Sequence, residues 1–134
     1  MVSFTTFATS ALAVLPLASA YVTGFTAPAT AEAGSTITAT LQTAIYIENW
    51  EDYSIVWGLT PSAWDCSICI GTQIGYVALT GTEGAAYPYT FTESVTIPSG
   101  TSAGDYYLKA AIPHLVGASG EMGFNIYGVN VTVS

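Results

Sequence analysis

Between Ala86 and Ile112 the chain alternates apolar and polar residues, and this period limits the possible folds most. Tyr87, Tyr89, Phe91, Val95 and Ile97 share one parity, while Thr90, Thr92, Ser94 and Thr96 hold the other. After the turn-rich Ser99–Gly104, Tyr106, Leu108, Ala110 and Ile112 alternate with Asp105, Tyr107, Lys109 and Ala111. Successive strand side chains point to opposite faces, so each run buries one face and wets the other. Strands joined by Gly/Ser/Pro connections are the units of an antiparallel sandwich. Glu93 breaks the apolar parity and predicts a strand edge or a bulge there.

The rest of the chain repeats this grammar. Tyr21–Phe25 reads as a first strand stopped by Pro28, and Ala33-Gly34 as a turn. Ser35–Gln42 sets Ile37, Ala39 and Leu41 against Thr36, Thr38 and Thr40, a face suited to water because threonine is both β-branched and hydroxylated. Ala44–Ile47 continues before a polar link, Glu48–Glu51. Asp52–Leu59 follows, with Tyr53, Ile55 and Trp57 on one parity. Thr60–Ile70 reads as a loop, Thr72–Thr80 as a strand, Gly81–Gly84 as a turn, His114–Gly123 as loop-like and Phe124–Val133 as the last strand. About seven strands in one small domain predict an all-β, immunoglobulin-like antiparallel sandwich, with a closed barrel as runner-up. Trp57 takes the place of the core tryptophan of such folds, and Tyr106, after a turn at a late strand's start, that of a tyrosine corner.

Residues 1–20 carry an apolar stretch from Phe7 to Leu17 ending in Ala18-Ser19-Ala20, the pattern of a cleaved signal peptide. The expected product is a secreted, extracellular monomer, one domain over residues 21–134. Nothing later is long and apolar enough to span a bilayer. The formal charge is −8, and Lys109 is the sole basic side chain. Phosphate neutralisation needs several cations, so nucleic acid is excluded as a partner, and an anionic membrane likewise.

Motifs that would carry chemistry are sparse. Cys66 and Cys69 stand three apart; two further zinc ligands are lacking and no helix follows, so an oxidising compartment makes them a local disulfide. His114, the lone histidine, is expected in a solvated loop, and no nucleophile motif accompanies it. No spacing selects a carboxylate pair for glycoside hydrolysis, and Glu48, Glu51 and Asp52 lack the calcium-loop pattern. No catalytic, metal or cofactor site is therefore expected. Trp50 and Trp64 lie in polar stretches, where they either cap a small core, the preferred reading, or serve as sugar-stacking or protein anchors. With Glu48, Glu51 and Asp52 they are the candidate partner-binding residues. Asn130-Val131-Thr132 is a glycosylation sequon.

Several stretches resemble the necrosis-inducing secreted protein effectors of fungi. They are Val22–Thr30 with Ala33-Gly34, Tyr46-Ile47, Tyr53–Leu59, Gly71–Gly75, Val95–Pro98, Gly117–Gly120, and Tyr127 with Asn130–Val133. The cysteine pair and the Trp-bearing loops lie outside that pattern. The resemblance implies a small, non-enzymatic secreted protein that can induce cell death. It also implies suppression of plant pattern-triggered immunity, inside the host cell, through receptor-associated kinases. A second, shorter resemblance, Ile97-Pro98 with Gly104–Leu108, is to the immunoglobulin-like modules of fungal wall proteins. It implies a carbohydrate-binding wall module as the alternative.

Overall fold

The computed structural model describes residues 19–79 and 90–134. The expected signal peptide up to residue 18, the Gly81–Gly84 turn and Tyr87 and Tyr89 lie outside the described residues. The strands are β1 (Ser19–Thr26), β2 (Thr30–Ala31), β3 (Thr36–Tyr46), β4 (Trp50–Asp52), β5 (Ser54–Pro61), β6 (Thr72–Ala78), β7 (Thr90–Thr96), β8 (Gly104–Val116) and β9 (Glu121–Val133). They form an all-β sandwich. The smaller sheet runs β1-β3-β7, and the larger β2-β9-β8-β5-β6 with β4 added beside β8. All pairings are antiparallel except the short β2 with β9.

Alternation explains the core. Ile37, Ala39 and Leu41 of β3 meet Val95 and Ile97 from the β7 side, and Leu108, Ala110 and Ile112 of β8 face them from the larger sheet. Trp57 on β5 is 1% exposed, with the Phe25 ring edge-on at 5.2 Å, a contact worth about 1 kcal/mol beyond its area. The tyrosine corner is present: Tyr106 Oη donates to the Ser102 carbonyl at 2.8 Å. Glu93 lies half-buried on β7, an edge strand of its sheet among the described residues, in unbroken register opposite Ala39. The edge expectation holds, and no bulge occurs. The turn after β7 does not make a hairpin but carries the chain from one sheet to the other.

Three local expectations fail. The polar link contains β4, because Trp50–Asp52 pairs with His114–Val116. The stretch after Pro113 is not a loop: β8 runs on to Val116 and β9 starts at Glu121, so only Gly117–Gly120 turns. Proline was misleading because it sits where β8 changes neighbour, from Val56 opposite Ala111 to Asp52 opposite His114, a seam that tolerates a missing N–H. Consequently His114 is not a solvated loop residue but is 7% exposed within a strand.

Candidate protein-binding surface

The predicted binding residues fall into two places. Trp50 pairs with Val116 at one end of β8, whereas Trp64 follows Pro61, which pairs with Tyr106 near the other. Ten strand residues separate those positions, roughly 33 Å at the usual rise. The structure does not bring the two tryptophans together.

At the β4 end, alternation sends Trp50 and Asp52 inward and Glu51 outward. The Trp50 indole stacks on His114 at 4.2 Å, and Tyr21 and Tyr46 pack against it at 4.8 and 4.9 Å. Asp52 takes the Val22 backbone N–H on Oδ2 at 2.7 Å and the Trp50 Nε1–H on Oδ1 at 2.8 Å, tying β1 to β4. Burial pushes the Asp52 carboxyl above its usual pKa, although both hydrogen bonds and nearby His114 pull the other way. Tyr127 donates its hydroxyl to the Val22 carbonyl at 2.8 Å. Burial, then the Asp52 charge and Tyr21, raise its pKa. Gly123 leaves room for the imidazole, since a Cβ there would press on His114 Nε2 at 2.6 Å. Glu48 and Glu51 are exposed, and Glu51 accepts the Tyr53 hydroxyl at 3.1 Å, the main cause of the raised Tyr53 pKa.

At the other end, the loop from Ser62 to Gly71 folds back as a roof over the outward face of the larger sheet. It opens with a single 3₁₀ turn, Ser62–Trp64. The Cys66–Cys69 disulfide closes a tight turn, with Cys69 N–H donating to the Cys66 carbonyl at 3.2 Å. Ile70 lies directly on Gly58, where any Cβ would overlap the Ile70 carbonyl oxygen. Beneath the roof is Lys109, 6% exposed. Its ammonium meets Asp65 Oδ1 at 2.5 Å and the Cys66 carbonyl at 3.3 Å, and lies 5.6 Å from the Tyr107 ring centroid. Strand periodicity placed Lys109 on the wet face and could not foresee a covering loop. Trp64 stands on the roof, 80% exposed, and Ile68 of the same loop is 74% exposed.

Beyond the roof, no described residue covers the outward face of the larger sheet. Ile126, Ala111, Val56 and Tyr76 form one cross-strand row, flanked along β9 by Phe124 and Met122. Tyr76, Phe124 and Met122 are 62%, 60% and 67% exposed. The signal for this face was legible as apolar residues at 124 and 126 on the parity of Asn130 and Thr132, whereas Met122 fell in the stretch read as loop-like. Asn130 is exposed on the same parity, opposite Tyr107. No helix among the described residues is long and apolar enough to cross a membrane.

The Nis1 family profile matches residues 18–132, almost the whole described chain. The chain is 33% identical over 130 residues to necrosis-inducing secreted protein 1 of Colletotrichum orbiculare, covering 97% of this chain and 80% of the relative. It is 33% identical over 124 residues to the protein of the same name from Colletotrichum higginsianum, covering 92% and 85%. The resemblance seen in the strand and turn residues is therefore one of descent: the chain belongs to the Nis1 family.

Proposed function

We propose that this protein is a secreted fungal effector that acts by binding a host protein, suppressing plant pattern-triggered immunity through receptor-associated kinases. Similarity over most of the chain to secreted proteins named for inducing necrosis carries this reading. Processing after Ala20 leaves a mature chain from Tyr21, whose β1 keeps its buried Val22 and Phe25.

Binding rather than catalysis is supported by how the titratable groups are used. A hydrolytic triad needs an imidazole reachable by substrate and oriented by a carboxylate. His114 is instead buried under Trp50, and both oxygens of the adjacent Asp52 are engaged by Val22 and Trp50. Exposed Trp64 and the carboxylates of Glu48 and Glu51 remain candidate contacts. The wall-module alternative loses the paired tryptophan platform, because Trp50 is enclosed by three rings.

The test expresses residues 21–134, with and without residues 1–20, in leaves and measures the elicitor-triggered oxidative burst. A blunted burst with a receptor-associated kinase co-purified is expected. An unaltered burst in both forms, with no kinase recovered, overturns the reading.

A further inference from the structure

Among the described residues nothing covers the outward face of the larger sheet beyond the roof, and its composition is unusual for a surface facing only water. Tyr76, Val56, Ala111, Ile126, Phe124 and Met122 are contiguous across four strands and carry no charge. Large exposed apolar patches rimmed by polar groups mark interaction sites, and aromatic residues with Met are enriched in interface centres. The outward face of the smaller sheet is the internal control. It is a hydroxyl ladder, Thr36 opposite Thr96, Thr38 opposite Ser94 and Thr40 opposite Thr92, with Thr36 and Thr96 hydrogen-bonded at 2.8 Å.

Charge then selects the occupant. At the β4 end of the larger sheet stand Glu48, Glu51 and Glu121, all exposed; Glu51 lies on the apolar face, opposite Leu115, itself opposite Met122, whereas Glu121, opposite Val116, turns to the other side of β9 at the same end of the sheet. The chain's only lysine is buried and already paired with Asp65, and there is no arginine. No Lys or Arg of this molecule, nor of a second copy, is left to neutralise that rim. Stacking two copies face to face would bring two chains of net charge −8 together.

We propose that the outward face of the larger sheet, from Tyr76 across to Phe124 and Met122, is the docking surface for a protein partner presenting an apolar patch bordered by basic side chains, with Glu48, Glu51 and Glu121 steering its approach. This rests on the effector reading and identifies the surface that carries it. Apolar contacts at the centre hold the complex, and rim carboxylates raise the association rate and make it salt-sensitive.

The experiment measures binding of the mature chain to purified cytoplasmic domains of plant receptor-associated kinases. The variants are Tyr76→Ser/Phe124→Ser, Glu48→Gln/Glu51→Gln/Glu121→Gln, and Thr38→Ala/Ser94→Ala as the control on the other face. All change exposed residues, and their folding is checked by thermal unfolding. The expected result is at least about tenfold weaker binding for the apolar pair, the scale of a central contact. The triple variant should associate more slowly and lose most of the salt dependence, and the control should match wild type. Wild-type binding that survives the apolar pair overturns the assigned surface while leaving the effector reading intact. No binding by wild type sinks the kinase reading and the proposal with it. Salt-strengthened dimerisation of wild type that Tyr76→Ser/Phe124→Ser abolishes assigns the face to a second copy and also overturns the proposal.

Discussion

The two outward faces of this sandwich solve the same problem differently. The smaller sheet wets its face with hydroxyls: threonine and serine from β3 and β7 stand in register, uncharged and locally hydrogen-bonded. The larger sheet leaves apolar side chains outward at one end and, at the other, covers Gly58, Thr60 and Lys109 with a disulfide-closed roof anchored on Lys109. A face of hydroxyls needs no partner, because water satisfies it. A face of Tyr76, Phe124 and Met122 keeps apolar area in water, about 25 cal/mol for every Å² left uncovered, and gains when something covers it.

The comparison can be broken at the roof. Gly58→Ala has the largest expected effect, about 3 kcal/mol at the upper end of overpacking penalties, because the new methyl meets backbone rather than a flexible tip. Chemical unfolding should show it, and Ile70 should lift from the sheet. Asp65→Ala strands a buried ammonium and should destabilise by about 2 kcal/mol, below the figure for fully buried pairs because the Asp65 side chain is 37% exposed. Lys109→Met, which removes the charge and keeps the stem, should be close to neutral by the same measurement. If both cost alike, the pair is not what anchors the roof. Cys66→Ser should cost no more than about 2 kcal/mol, since so short a loop constrains the unfolded chain little, and the variant should still unfold cooperatively.

A subtler test concerns pH. The Asp52 carboxyl has a raised pKa when folded, so its favourable contribution is complete below the ordinary 3.8 and is lost as pH rises through the folded value. Between pH 3 and 7, wild type should therefore lose stability relative to Asp52→Asn, with the change setting in above 3.8. Repulsion among the other carboxylates is common to both proteins and cancels. A constant difference across that range would mean that burial does not govern this carboxyl. On the hydroxyl face, Thr38→Ala should stay within about 0.5 kcal/mol of wild type, the ordinary size for an exposed substitution.

What could be read in advance follows from what periodicity encodes. Parity identified the inward residues of β3 and β8, and the pattern around Tyr106 identified the corner, since both are local consequences of strand geometry. Parity says nothing about what lies over the outward side. Lys109 therefore looked solvated until the roof was placed above it, and Trp50 was placed in a polar link until β4 turned it onto His114. Pro113 shows the limit of punctuation signals: the ring stops a ladder only where a hydrogen bond was required. The candidate surface was half legible, because apolar residues on the wet parity of β9 are visible in the sequence, whereas Val56 and Tyr76 join them only through strand order.

The central claim is that the two outward faces are functionally unequal, and hydroxyl-radical footprinting of the wild-type protein bound to the proposed kinase partner tests it most directly. Met122, Phe124 and Tyr76 are reactive, exposed side chains and serve as built-in reporters. The account predicts strong protection of these three on binding, with Ile45 of the smaller sheet, 43% exposed, unchanged. Protection confined to the smaller sheet, with Met122 oxidised as fast in the complex as in the free protein, would contradict it.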